Sequence, residues 1–191
     1  MPESIQAIKT ELTSTKPSIL FVLGLEISSP KLSPKLSSKI SDFIQDKLSG
    51  SFKIGAVTLN ARPELRMKPW YRDQPSEDFD DLIKISKEYS AQYSVLDAIL
   101  LAAEDFEENE KGKRIMVVVL DSFSGKGFGV EQDLSILSEK EIYLYVLARE
   151  GSLAGHRILR AFDSIGASVT EFVPETFDKV LSTLYKLIKD P

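Results

Sequence analysis

The sequence predicts a doubly wound α/β domain, in which helices cover both faces of a mostly parallel six-stranded sheet with one antiparallel edge strand. Two observations support this fold class. Short apolar runs alternate along the chain with longer segments whose apolar residues recur at helical spacing. The run "RIMVVVLD", residues 114–121, is apolar on both faces, as expected for a strand at the centre of a parallel sheet.

The first part of the chain contains three predicted strands. Residues 1–17 carry apolar residues at helical spacing before "TSTKPS", so we expect a short helix and linker ahead of a domain over residues 18–191. The run "SILFVLGL" predicts a strand, and an amphipathic helix follows it up to Ser49-Gly50. The runs "FKIGAVTLN" and "ELRMKP", separated by "ARP", predict a sharp turn into the antiparallel edge strand.

The remaining elements alternate between helix and strand. A helix is expected around residues 78–88, and "YSVLDAILLAAEDF" is apolar on nearly every face, which predicts a helix buried against the sheet. After the central strand we expect a helix near residues 130–139, the strand "IYLYVLA", and a helix over residues 153–165 that ends at Gly166. The strand "SVTEFV" and a helix over residues 177–188 complete the domain.

Composition and charge narrow the classes of function. A length of 191 residues with 42% apolar and 28% charged residues suits one soluble globular domain. The 29 acidic and 24 basic residues leave a net charge of −5, which disfavours nucleic acid and anionic membranes as partners. The absence of cysteine and of any signal-like or membrane-spanning segment leads us to expect a cytoplasmic protein that does not bind a membrane.

The order of these elements resembles the von Willebrand factor type A (vWA) family. The resemblance covers residues 18–189 and rests on "KIGAVTLNARPELRMKP", "YSVLDAILLAAEDF", "KRIMVVVLDS" and "EIYLYVLA". It implies a Rossmann-like sheet and a non-catalytic module that binds another protein. In that family the carboxyl edge of the sheet carries a metal-ion-dependent adhesion site, built from Asp-x-Ser-x-Ser, a Thr and a late Asp. Mg²⁺ suits such a site because it takes hard oxygen ligands in an octahedron.

The stretch "SILFVLGLEISSP" departs from the adhesion-site motif at its principal carboxylate. Gly24 stands where the family has its first Asp, and Glu26 stands at the first Ser. Only Ser28 matches, at the second Ser. Glu26 has a longer side chain that begins two residues later, so it does not replace the missing carboxylate in an octahedral site. For Glu26, Ser28 and Asp121 taken individually, we favour a role in capping the loops and helices that follow the strands.

The other two motif positions match in part. The Thr position falls on Tyr93, or on Ser94 if the register moves by one, and Asp121 matches the late Asp. We therefore expect a degenerate site that needs no metal or other cofactor. If Mg²⁺ does bind, the matching residues that could hold it are Ser28, Ser94 and Asp121.

A partner protein is expected to bind at this same edge, because ligands of open α/β sheets gather at the carboxyl ends of the strands. The loops after the first and central strands and the loop before the buried helix would form one rim there. Its residues are Gly24, Glu26, Ser28, Tyr93, Ser94, Asp121, Phe123 and Lys126.

Other signals leave alternatives open. "SFSGKGFG" places three glycines, from Gly125 to Gly129, beside Asp121, so a nucleotide- or phosphate-handling enzyme is the alternative function, although the spacing matches neither a Walker loop nor a dinucleotide loop. The single histidine, His156, has no neighbouring nucleophile that would indicate catalysis. The pair Trp70-Tyr71 could either close the margin of the core or anchor a partner.

Overall fold

The computed structural model describes residues 17–24, 33–48, 50–59, 63–67, 95–106, 112–120, 134–154 and 158–189. In these segments the strands are β1 (Ser18–Gly24), β2 (Lys53–Leu59), β3 (Pro63–Met67), β4 (Arg114–Leu120), β5 (Ile142–Arg149) and β6 (Ser168–Phe172). The α-helices there are α1 (Ser33–Phe43), α2 (Val95–Asp105), α3 (Ser135–Glu139), α4 (Ile158–Ser164) and α5 (Phe177–Lys189).

The described strands form one six-stranded sheet in the order β3-β2-β1-β4-β5-β6. Five of them are parallel. The strands β2 and β3 lie on one side of β1, and β4, β5 and β6 follow one another on its other side. At one edge β3 pairs antiparallel with β2, with an irregularity between Ala56 and Val57. The predicted α/β class with a doubly wound parallel sheet is confirmed.

Each face of the sheet has its own core, and β4 contributes to both. Its residues Ile115, Val117 and Val119 pack on the side of α1 and α5, whereas Met116 and Val118 pack on the side of α2, α3 and α4. All of these side chains are fully buried. A strand buried on both faces reads as a continuous apolar run, which explains why the sequence pattern identifies β4 so clearly.

The helix α1 continues into a π-helical turn, Ile44–Leu48. Ile44 and Leu48 in this turn are both buried in the core beside Phe43. Gly50 then adopts a φ of +79°, the left-handed conformation that favours glycine after a helix. The N–H groups of the two residues that follow Gly50 donate to the carbonyl oxygen of Leu48, which ends the helix.

The structure corrects the predicted helix over residues 153–165. The helix α4 begins only at Ile158, and residues 151–154 form a turn that opens with Gly151 at a φ of +74°. In this turn the N–H of Ser152 donates to the carbonyl oxygen of Arg149 over 2.9 Å. Leu153 is buried in the turn, so its apolar character reflects core packing and not helix formation.

Three other predicted segments are only partly tested. Residues 135–139 of the helix expected near residues 130–139 are helical, and the rest of that segment up to residue 133 lies outside the described residues. The expected helices within residues 1–17 and 78–88 also fall outside them, apart from Pro17. Among the helices that the structure does describe, none has the length and apolar character needed to cross a bilayer.

Candidate functional site

Three neighbouring strands end level with one another at the carboxyl edge of the sheet. Gly24, the last residue of β1, pairs with Leu120, the last residue of β4, and Leu120 pairs with Ala148 of β5. Adjacent strands lie about 4.8 Å apart, so the chain leaves β1 and β4 at neighbouring points. The sequence predicted that this edge would carry the partner site.

Of the predicted rim, the structure describes Gly24 alone. The positions of Glu26, Ser28, Tyr93, Ser94, Asp121, Phe123 and Lys126 lie outside the described residues. Two of these residues are adjacent in sequence to described elements. Asp121 directly follows Leu120 at the end of β4, and Ser94 directly precedes Val95 at the start of α2.

Gly24 bears directly on whether a metal ion fits this edge. The sequence predicts that it stands at the first Asp of the adhesion motif, and a glycine has no side-chain oxygen to offer a cation. In the described segments, no group of three or more His, Asp or Glu side chains could hold a metal ion.

The turn between β5 and α4 adds polar groups to the carboxyl edge that the sequence analysis did not single out. Glu150 donates its N–H to the carbonyl oxygen of Phe172 over 2.8 Å, and the N–H of Gly151 donates to Oε1 of Glu171 over 3.4 Å. The Ser152 hydroxyl is buried and has no hydrogen-bond partner among the residues that the structure describes. The signal that could have identified this turn is the polar "REGS" directly after an apolar strand.

A second concave surface lies at the opposite, amino edge of the sheet. We call it the amino-edge cleft, and its volume is about 920 Å³. It is bounded by the starts of β4, β5 and β6 and by the turns before β5 and β6. The polar residues along it include Lys113, Arg114, Ser138, Lys140, Glu141, Tyr143, Tyr145 and Ser168.

Lys140 connects three elements at the wall of this cleft. Its Nζ donates to the carbonyl oxygens of Ala103, Glu104 and Phe106 at distances of 3.0, 3.2 and 3.2 Å, all at the carboxyl end of α2. Its own carbonyl oxygen accepts a hydrogen bond from Arg114. The last carbonyl groups of a helix lack partners within the helix and carry partial negative charge. A lysine here supplies both hydrogen-bond donors and a compensating positive charge.

Tyr145 lines the cleft on the face of the sheet that packs against α1 and α5. Its hydroxyl donates to the carbonyl oxygen of Leu187 in α5 over 3.3 Å. Burial of the phenol raises the pKa of Tyr145 above its usual value, and the proximity of Tyr143 raises that pKa further. Tyr145 therefore remains protonated throughout the neutral range and serves as a fixed hydrogen-bond donor.

Comparison with known proteins gives the fold. No family model matches the sequence, and no curated protein matches it. The structure is similar to BatB from Bacteroides thetaiotaomicron, a conserved hypothetical protein, with a TM-score of 0.65 and 15% identity over 90% of this chain and 97% of that one. It is also similar to a von Willebrand factor type A structure from Catenulispora acidiphila, with a TM-score of 0.60 and 8% identity over 91% of this chain and 42% of that one.

A third similar structure is proximal thread matrix protein 1 from the mussel byssus, whose adhesion motif is occupied by zinc. The TM-score is 0.65 and the identity 12%, over 90% of this chain and 45% of that one, so the present chain spans less than half of its length. Identities this low establish the fold and nothing beyond it. The fold of the chain is vWA-like.

Proposed function

We propose that the chain is a non-catalytic protein–protein interaction module of the vWA type that acts without a bound metal ion in a cytoplasmic complex. It binds its partner protein through the carboxyl edge of the sheet. The residues that carry the contact are Gly24, Glu26, Ser28, Tyr93, Ser94, Asp121, Phe123 and Lys126.

The observation that carries this proposal is the register between β1 and β4. Gly24 lies beside Leu120, so the segments that begin with residues 25 and 121 start from neighbouring points on one edge. The crevice outside the carboxyl ends of the strands is where open α/β sheets bind their ligands. Residues from two distant parts of the sequence can therefore contribute to one surface.

Gly24 also supports the absence of a metal. An adhesion site with a metal ion binds a carboxylate of its partner, because the ion keeps one coordination position open. A rim with Glu26 and Asp121 and no cation has acidic groups, hydroxyls and the aromatic rings of Tyr93 and Phe123. Its partner would offer basic groups and a surface that buries aromatic rings.

The proposal is tested by capture of the partner from native lysate, followed by affinity measurements with purified protein. Asp121→Ala and Phe123→Ala should each weaken binding by about 1–3 kcal/mol, the usual effect of truncating a well-placed interface residue. Circular dichroism checks that both variants remain folded. Trp70→Ala is the comparison variant, because Trp70 follows β3, the outermost strand of the sheet, and is not one of the residues proposed to bind the partner.

Two results would contradict the proposal. Binding that survives both substitutions but is lost with Trp70→Ala would move the interface to the edge at β3. Marked thermal stabilisation by ATP or GTP, absent in Asp121→Ala, would favour the alternative, an enzyme that handles nucleotides through the Gly125–Gly129 loop.

A further inference from the structure

Among the described strands, the first residues of β5 have a neighbour on one side only. β4 pairs with β5 from Ile142 onward, whereas β6 joins β5 only at Tyr145, which pairs with Ser168. Residues 142–144 therefore form a short open edge within the sheet. The amino-edge cleft opens onto this edge, since all three of its residues line the cleft.

The backbone along this edge has hydrogen-bond donors that the sheet does not use. At the other end of β5, the N–H of Glu150 points towards β6 and donates to Phe172. Alternate residues of a parallel strand direct their N–H groups to the same side, so the N–H groups of Ile142 and Leu144 also point to the β6 side. Among the described residues, no carbonyl group of a turn or loop accepts a hydrogen bond from either N–H group.

The chemistry of the cleft favours one kind of occupant. Of the described residues that line it, Lys113, Arg114 and Lys140 are basic and Glu141 is acidic, and the ammonium group of Lys140 is bound to the end of α2. The chain as a whole carries a net charge of −5. Tyr143 is 47% exposed there and is one of the exposed large apolar side chains of the described residues. The cleft thus combines positive charge, an exposed aromatic ring and strand backbone that no described strand pairs with.

We propose that the amino-edge cleft binds a short extended segment of a partner protein that carries acidic side chains. The segment adds to the sheet alongside residues 142–144, in line with β6. The backbone hydrogen bonds provide affinity, and the basic residues select the charge of the segment. This inference is independent of the function proposed above, because it concerns the opposite edge of the sheet.

The geometry limits the length of the bound segment. Three residues of strand span about 10 Å, after which β6 itself occupies the position beside β5. The turn at Gly166, which lines the cleft just before β6 begins, therefore forms the end of the site. Alternate side chains of the segment would then lie near Lys113 and near Tyr143.

The experiment uses the full chain, labelled with ¹⁵N, and a fluorescein-labelled octapeptide in which valine alternates with glutamate. Two matched peptides serve as controls: one with lysine in place of glutamate, and one with N-methylated backbone amides. The acidic peptide should bind saturably by fluorescence anisotropy and shift the amide resonances of Ile142 and Leu144. The lysine peptide should bind about tenfold more weakly or not at all, because it lacks the negative charge. The N-methylated peptide should be weakened similarly, because its methyl groups obstruct the close approach of an added strand.

Lys113→Glu should weaken binding of the acidic peptide by about tenfold, since an attraction becomes a repulsion. Lys179→Glu is the matched control, because Lys179 is an exposed lysine on α5 that does not line the cleft. The inference is overturned if the acidic peptide does not bind saturably, if the control peptides bind equally well, or if the shifts fall on β3. A concentration-dependent dimer in sedimentation that Lys113→Glu abolishes would overturn it too, because the occupant would then be a second copy of the chain.

Discussion

Arg114 donates a hydrogen bond from its Nη1 to the backbone carbonyl oxygen of Lys140 over 2.7 Å. This contact joins the start of β4 to the turn that precedes β5. The ammonium group of Lys140 extends from the same turn to the end of α2, where it contacts three carbonyl oxygens. Lys140 thus fixes the position of α2 relative to β4 and β5.

Lys140→Met should lower the free energy of unfolding by about 1–3 kcal/mol. The substitution keeps the aliphatic stem but removes the charge-assisted hydrogen bonds, so the carbonyl groups at the end of α2 lose their donor. Urea unfolding measures the change. The exposed Lys179→Met should change stability by less than about 0.5 kcal/mol, and an equal loss in both variants would contradict the role assigned to Lys140.

Tyr145 should make the protein less stable in alkali. Its pKa is raised in the folded state, so its contribution is fully present below about pH 10, where both states are protonated. As the pH rises through the folded pKa, the unfolded chain has already lost its proton and the contribution disappears. Tyr145→Phe should therefore show a smaller decline in the free energy of unfolding between about pH 9 and pH 11. Identical declines in urea titrations of the two proteins would refute this.

Ser152→Ala should leave stability unchanged or raise it by about 1 kcal/mol. Within the described part of the chain, the buried Ser152 hydroxyl has no hydrogen-bond partner, and removal of an unsatisfied buried hydroxyl removes its desolvation cost. Ser182→Ala is a suitable comparison, because the Ser182 hydroxyl is exposed and donates to the carbonyl oxygen of Asp178. A loss above about 1 kcal/mol for Ser152→Ala in thermal or urea unfolding would show that the hydroxyl has a partner.

Millimolar Mg²⁺ or a chelator should not shift the melting temperature, because Gly24 has no side-chain oxygen at the principal ligand position. The combined substitutions Gly24→Asp, Glu26→Ser and Tyr93→Thr restore the family motif and should introduce binding of Mg²⁺, measured by isothermal titration calorimetry. A clear Mg²⁺-dependent shift in the unmodified protein would disprove metal independence. A triple variant that binds no metal would show that the loop follows a different path.

The sequence predicts a strand reliably where the strand is buried on both faces, because its residues then form an uninterrupted apolar run. β4 is such a case, because every residue from Ile115 to Leu120 is buried and the apolar run has no gap. The helix α4 was predicted too long for the converse reason. Leu153 lies eight residues before Ala161, which is a helical spacing, and it is indeed buried, but Gly151 and a hydrogen bond to Arg149 hold it in a turn. Apolar spacing alone does not separate these two conformations.

The two edges of the sheet differ in how far the sequence could predict them. The carboxyl edge follows from strand order, which places the last residues of β1 and β4 side by side. The amino-edge cleft depends on where β6 begins relative to β5, and no local pattern encodes that offset. Its basic residues Lys113 and Lys140 are separated in sequence and look like ordinary surface lysines until the register is known.

The pairing of β1 with β4 also determines when the chain can fold during its synthesis. Ser18 pairs with Arg114, 96 positions later (114 minus 18), while the nearer β2 covers only one side of β1. At a synthesis rate of about 5–20 residues per second, β1 waits roughly 5–20 s for its second neighbour. We expect a nascent chain arrested before residue 112 to remain sensitive to protease and to bind chaperones, and resistance at that length would contradict this.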